Sequence, residues 1–373
     1  MAITKLIYKA VITVIVFGYI NTATAQDYFQ YHRNIIKAEE QAFVTQDYHK
    51  ALKTYSETFR QYDFVFLRDC IIAMELALYI NDEKAFIAFT TKAFQNGFVP
   101  RYLNYKDLTY IRKHSIYNKY KGKLDTLYAA NRDHYLKRID TTSLKKMMEL
   151  FCVDQAEKNN LPHESQRTYS LRYKPLVTKT MADLQKLIAA KGWPSDKLIG
   201  INQNDIMHQL GFKNMDALDY YNRYKDDPEH LVSKGQYDFD EYILASSLIL
   251  PIIVHYSNET VGIHNKRRNL QYPDEYYLAQ IKAGNMHPQD FALLNDWPFD
   301  VTGLTPVKGD RYFDIGYKPP EILECKPAAI PNKEINGYRA TFCIAPIEIT
   351  RAKLLFLTMN KMSGAGGWSG CRL

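Results

Sequence analysis

The sequence predicts an all-α or mostly α fold, and three observations carry that expectation. Apolar residues recur at three-four spacing, helix start and stop signals punctuate the chain, and one segment repeats itself at the length of a helical hairpin. At 373 residues the chain exceeds the usual size of one domain, so two helical, largely independent halves are expected, each with its own core. Apolar residues make up 46% and charged residues 24%, which excludes a disordered chain and an integral membrane protein.

The first segment reads as a leader. Lys5 and Lys9 precede the apolar stretch Ala10 to Ile20, and Ala23-Thr24-Ala25 supplies the small residues a signal peptidase needs. Residues 1–25 are therefore expected to be a signal peptide cleaved before Gln26, which makes the protein exported, periplasmic or cell-envelope associated. The apolar run is shorter than the ~20 residues of a membrane span, and no later segment offers one, so no integral span is expected after cleavage. The formal net charge of +7 falls to +5 once Lys5 and Lys9 are removed. Basic residues are scattered among acids without a stripe, so nucleic acid is not an expected partner.

Next comes the repeat. The segment Ala42 to Tyr55 recurs as Leu76 to Phe89, with Ala51 matching Ala85, Leu52 matching Phe86 and Tyr55 matching Phe89 at a period of 34. Asp47 and Asn81 mark the turn between paired helices. Leu108, Ile111, Ile116 and Tyr117 offer an apolar face that closes the stack, with one or two further helices over 106–121.

From Ser143 the helical pattern restarts. Leu144, Met147, Met148 and Phe151 form a buried stripe, and residues 159–176 read as a polar connection. A helix over 181–190 ends at Gly192 and Pro194. Asp240 caps a very apolar helix through Ile253 that Pro251 should kink or end. Pro273-Asp274-Glu275 opens a helix that Gly284 closes, and Pro288 opens another. Residues 300–335 read as irregular, with a short hairpin near 311–317, before a last helix over 346–361 and a flexible tail over 363–373.

Two resemblances rest on these residues. The segment over about 40–100 resembles tetratricopeptide repeats, although it lacks their usual Trp, Gly and terminal Pro signals and shows fewer than the ~3 units such arrays need. The pieces Asp154 to Lys158, Gly192-Trp193-Pro194 with Gly200, His255, Gly284 to Asp296, Asn336 to Arg339 and Pro346-Ile347-Glu348 resemble a domain of unknown function of exported bacterial proteins, over about 144–360. Lys158 replaces that family's usual Arg, and the stretch 211–236 looks inserted. Together they imply a tetratricopeptide-like module over 27–140 and a helical domain over 141–362, with no activity to carry over.

Asp154 and Gln155 lie on or beside a buried face, where an unpaired polar group costs several kcal/mol. They need partners, and Asp154, Gln155, His255, Asp296 and Arg339 are the candidates for one polar pocket. Such a pocket is either an acid/base constellation, with Arg339 holding an anion, or an internal hydrogen-bond network that fixes helix packing, which is the leading reading. Trp193 is the candidate for stacking on a ligand, against an alternative as a core anchor. His208, His255, His264 and His287 match no metal-ligand spacing, so no metal and no cofactor are expected. Gly367 to Cys371 departs from the nucleophile-elbow pattern at its last position and lacks a preceding strand. Cys70 and Cys152 read as core residues, while Cys325 and Cys343 are left as either free or paired.

Stacked helical pairs present a concave surface that holds a peptide or partner protein. The sequence therefore points first to an exported interaction or scaffold protein that binds a protein or peptide through its repeats. The alternatives are a hydrolase-type enzyme around His255 and Asp296, and a glycan or peptidoglycan binder using the 29 tyrosines.

Overall fold

The computed structural model describes residues 26–104, 108–158, 166–201, 204–211, 244–260, 270–296 and 332–362. The leader, the insertion, the hairpin segment, the tail, Asp240, Cys325 and Cys371 lie outside these residues. The fold is all-α, with no strand among the described residues.

The chain begins with two helical hairpins. Helix α1 (Tyr28–Glu39) runs into a π-helical turn (Glu40–Val44) and pairs with α2 (Tyr48–Gln61), while α3 (Leu67–Tyr79) pairs with α4 (Glu83–Gln95). Side chains set the starts: Asp27, Asp47 and Asp82 each accept a backbone N–H of the first turn of α1, α2 and α4. Gln46 and Asn81, both in the left-handed region, turn the chain just before Asp47 and Asp82.

These landmarks set the two hairpins side by side at an offset other than the 34 read from the sequence. Cap matches cap at 35 residues, and so does burial: Ala51, Tyr55, Thr58 and Phe59 of α2 correspond to Phe86, Thr90, Ala93 and Phe94 of α4. The period of 34 aligned Ala51 with Ala85, which matches residue identity but shifts the buried stripe by about 100°, one residue of helix.

Helix α3 is the hub of this unit. Every residue from Leu67 to Leu78 is buried, including Arg68, Asp69 and Glu75, so it is enclosed on all sides. A 3₁₀ turn (Pro100–Asn104), α5 (Thr109–Lys113) and α6 (Ser115–Leu136) complete the stack, with Leu108, Ile111, Ile116 and Tyr117 buried beneath them.

The second unit is built on α7 (Thr141–Lys158), α8 (Gln166–Lys191) and α10 (Ala245–Thr260), which pack on one another as a three-helix bundle. Asp140 starts α7 by accepting the amides of Thr142 and Ser143. Most of the predicted polar connection over 159–176 is instead the first half of α8. Tyr173, Val177, Met181, Leu184 and Ile188 are buried at three-four spacing, and this stripe carries the helix through Pro175. Pro251 likewise lies inside α10 rather than ending it, because the residues on both sides of it are buried and their packing outweighs the lost hydrogen bond.

After the short α9 (Asn204–Gln209), the chain continues through α11 (Asp274–Lys282), α12 (Pro288–Asp296), α13 (Asn332–Thr341) and α14 (Ile347–Met359). Helix α13 starts inside the stretch read as irregular over 300–335. Helix α14, placed by sequence in the second unit, packs on α1 and its π-turn, so Leu357 and Met362 belong to the N-terminal core. Conversely Tyr135, at the end of α6, lies in the second core and exchanges hydrogen bonds with the amide and carbonyl of Ile201.

The halves are thus interlocked. The α1 and α3 side of the hairpins, where a concave surface was expected, is covered by Gly284 on the Tyr28 ring, by α12 and by α14.

Candidate functional site

Each helix of the second bundle contributes one side chain to a buried polar cluster. Asp154 of α7 is fully buried, with Tyr173 of α8 and His255 of α10 2% and 6% exposed. His255 Nδ1 lies 2.7 Å from Asp154 Oδ2, and the Tyr173 hydroxyl donates to Oδ1 at 3.3 Å. An ionised carboxylate only accepts, so with Asp154 ionised the contact places a proton on Nδ1. Chemically this is a base held in one tautomer by a carboxylate, and equally a satisfied hydrogen-bond network that locks three helices.

The side chains of Gln155 and Asp296 lie outside the described residues. Arg339 is buried in α13 and donates through Nε to the Ala345 carbonyl at 2.6 Å and through a terminal nitrogen to Thr350 Oγ1 at 2.7 Å. Asn336, one helical turn earlier, accepts the Ile347 amide at 2.9 Å and donates to Glu348. These contacts brace the turn between α13 and α14.

Trp193 is 3% exposed and meets Tyr277 edge-on, with ring centroids 6.1 Å apart, so its ring is a core anchor. Much of the tyrosine enrichment is spent the same way, since Tyr28, Tyr31, Tyr55, Tyr102, Tyr135 and Tyr277 are fully buried. Cys343 is a free, buried thiol that donates to the Phe29 carbonyl.

A second polar cluster, which sequence reasoning missed, sits where the two units meet. Arg68 of α3 pairs with Asp290 of α12 at 2.9 Å and reaches His287 Nδ1 and Gln289 Oε1 at 3.3 Å each. His287 Nδ1 also receives the Gln289 amide at 3.2 Å. Two donors meet that nitrogen, so it is unprotonated and the proton lies on Nε2, which faces Asp69 Oδ1 at 3.8 Å. Asp69 Oδ2 accepts from the Tyr31 hydroxyl at 2.7 Å. Lys353 of α14 closes one side on Glu39 of α1.

Burial pushes the Asp69 and Glu39 carboxyls up, against the opposing pull of the Tyr31 hydroxyl and of Lys353 respectively. Behind Arg68, burial raises Asp196 to about 6. Burial also holds His32 and His287 well below the ordinary histidine value, helped for His32 by the His287 ring and for His287 by Arg68 and Lys353.

The cluster surrounds a cavity of about 30 Å³, lined by His32, Glu39, Arg68, Asp69, His287 and Lys353 among others. That exceeds the ~10–15 Å³ one ordered water requires and falls far short of the ~300 Å³ at which organic ligand pockets begin. Among the described residues, no three His, Cys, Asp or Glu side chains converge in a way that could hold a metal ion. The sequence did contain one signal: Arg68 and Asp69 interrupt the apolar run from Phe64 to Leu78, and charges inside such a run must find partners. The partners of Arg68 lie more than two hundred residues away, at His287, Gln289 and Asp290, while Asp69 finds Tyr31 in the preceding hairpin.

No helix among the described residues is long and apolar enough to cross a membrane. Comparison with known proteins finds no matching family model, curated protein or solved structure.

Proposed function

We propose that the chain is an exported cell-envelope interaction or scaffold protein whose tetratricopeptide-like hairpins, capped by α14, bind a protein or peptide partner. One observation supports this reading. Of six exposed large apolar side chains among the described residues, four gather where the π-turn, the end of α3 and the outer face of α14 meet: Val44 (49% exposed), Tyr79 (36%), Leu355 (42%) and Met359 (73%). Tyr79 packs on Phe356 of α14 at 4.9 Å, and the same ring lies 5.3 Å from Phe43 and 5.9 Å from Tyr48, which brings the three elements together. A grouped apolar surface on a folded chain is a common mark of a protein contact. Because α1 and α3 are covered by the second unit, the partner surface lies at this end of the hairpins rather than in their concavity.

The test is affinity purification of the mature protein from its native envelope, with mass spectrometry, comparing wild type with the double variant Leu355→Glu/Met359→Glu. Both positions are exposed, so stability is expected to stay within about ±0.5 kcal/mol per site. Partner recovery is expected to fall at least about tenfold, because each carboxylate would have to be desolvated in the contact. Equal recovery from both proteins overturns the reading.

A hydrolase-type site at His255 is the second reading, favoured by the carboxylate that fixes the imidazole tautomer. It requires turnover that wild type shows and a folded His255→Ala protein loses by about 100-fold or more. Turnover unchanged in that variant removes His255 from the chemistry.

A further inference from the structure

We propose that His32 and His287 form an acid-sensitive latch between the two units, in which proton uptake by both imidazoles undocks α12 and α14 from α1 and α3. The inference rests on what a proton would meet at each ring. His287 is 7% exposed, and its Nδ1 already faces two donors, the Arg68 guanidinium and the Gln289 amide. A proton there breaks both bonds and sets three donors against one another, so the imidazolium forms only if the ring leaves. His32 is 2% exposed and its Nε2 has no hydrogen-bond partner. Its ring lies edge-on to His287 at 5.4 Å and packs against Tyr31 and Phe66 at 5.2 and 5.4 Å. Charging both rings places two new cations beside Arg68 and Lys353.

Every facing carboxylate is already engaged. From α1, Glu39 holds Lys353; from α3, Asp69 accepts Tyr31 and stands 3.8 Å from His287 Nε2; from α12, Asp290 holds Arg68. Asp196, behind Arg68, accepts the Ala245 amide. Among them only Asp69 Oδ1 faces a ring, and it stands 3.8 Å from the Nε2 proton that neutral His287 already carries, so it offers nothing to a proton arriving at Nδ1. Both imidazoles are accordingly held neutral, by burial first and then by neighbouring rings and cations.

The sign follows from linkage. In the undocked state each histidine returns to its ordinary value of about 6.5, above its docked value, so the undocked state binds more protons below that pH. Docking is therefore complete above about pH 6.5 and weakens as pH falls towards the lowered values. Two imidazoles contribute up to about a 100-fold rise in the undocking equilibrium per pH unit, and one contributes up to about tenfold. The carboxyls of Asp69, Glu39 and Asp196 are shifted upward when docked and act in the opposite sense, which reduces the net slope. The contributions of Glu39 and Asp196 are common to wild type and to histidine variants and cancel in the difference, whereas Asp69 faces both rings and its contribution changes with them.

The experiment follows amide hydrogen exchange in α12 and α14 of the full chain between pH 7.5 and 5, corrected for intrinsic rates. His287→Asn places a non-titrating acceptor where Nδ1 stands, and His32→Phe keeps a ring without a proton site. Wild type is expected to open more steeply than either variant, by up to about tenfold per pH unit for each histidine removed, with the double variant flat or reversed. Identical pH profiles in wild type and the double variant overturn the latch. A second measurement needs no variant: exchange at the imidazole C2 position in wild type reports each ring's own titration. Ordinary titration near 6.5 in the docked protein also overturns the latch; strongly depressed titration of both rings supports it.

Discussion

Replacing Asp290 with alanine is expected to destabilise the folded chain by about 3–5 kcal/mol, the cost of leaving a buried guanidinium without its counter-ion. Arg68 and Asp290 side chains are only 9% and 12% exposed, and their 2.9 Å contact joins the hub helix of the first unit to the second. Carboxylates hold Arg68 charged there: burial opposes the cation, while Asp290 and Asp196 raise it above its ordinary value. Domains of this kind have total stabilities of about 5–15 kcal/mol, so the single change removes a large fraction. Denaturant midpoints at constant m-value measure it. The pair Arg68→Met/Asp290→Leu is expected to recover most of the loss, because removing both charges leaves nothing unpaired. A loss below about 1 kcal/mol for Asp290→Ala would show that another group, or water, satisfies Arg68.

Gly284→Ala is expected to cost about 2–5 kcal/mol by a different route. Gly284 has φ of +73°, where a side chain costs about 1–2 kcal/mol, and an added Cβ would stand 2.6 Å from the Tyr28 ring. Tyr28 is 1% exposed and donates to the Phe64 carbonyl, so it cannot swing aside, and overpacking adds about 1–3 kcal/mol. Gly192→Ala is the control. Its φ is +86°, but nothing lies within 4 Å of the added atom, so it should show the conformational cost alone. Thermal unfolding of both variants separates the two contributions. Equal losses would mean that Tyr28 does not seat against Gly284, and the described contact between the units would fail with it.

The two changes act on one surface, between units that the sequence presents as largely independent. Each half shows its own apolar stripes, and those stripes do build two cores. Besides the apolar Leu357 and Met362, what joins the cores is polar or aromatic and local to no segment: Arg68 with Asp290, His32 with His287, Glu39 with Lys353, Tyr28 beneath Gly284. None of these pairs has a spacing that periodicity could expose.

The candidate site divides in the same way. That Asp154 needs a partner is readable from the stripe of Leu144, Met147, Met148 and Phe151, because a carboxylate beside that face is costly alone. The identity of its partners is a matter of helix packing, which brings Tyr173 and His255 to its two oxygens. Arg339 shares their chemical type, and it donates to the Ala345 carbonyl and the Thr350 hydroxyl at the turn between α13 and α14.

By itself, the sequence determined the all-α class, the turns at Asp47 and Asn81, the helix starts at Pro273 and Pro288, the stops at Gly192 and Gly284, and the buried stripe of α7. Each of these is a contest between local alternatives, such as a capped or an uncapped amide, and nearby residues settle it. Only the tertiary structure decided the 35-residue offset between the caps of the two hairpins, the continuation of α8 through Pro175, the return of α14 to the first core, and the meeting of His32 with His287. In each case burial against distant residues outweighed a local preference. Apolar and electrostatic contacts act between surfaces brought together by the whole chain, and a linear pattern records that a surface exists without recording what covers it.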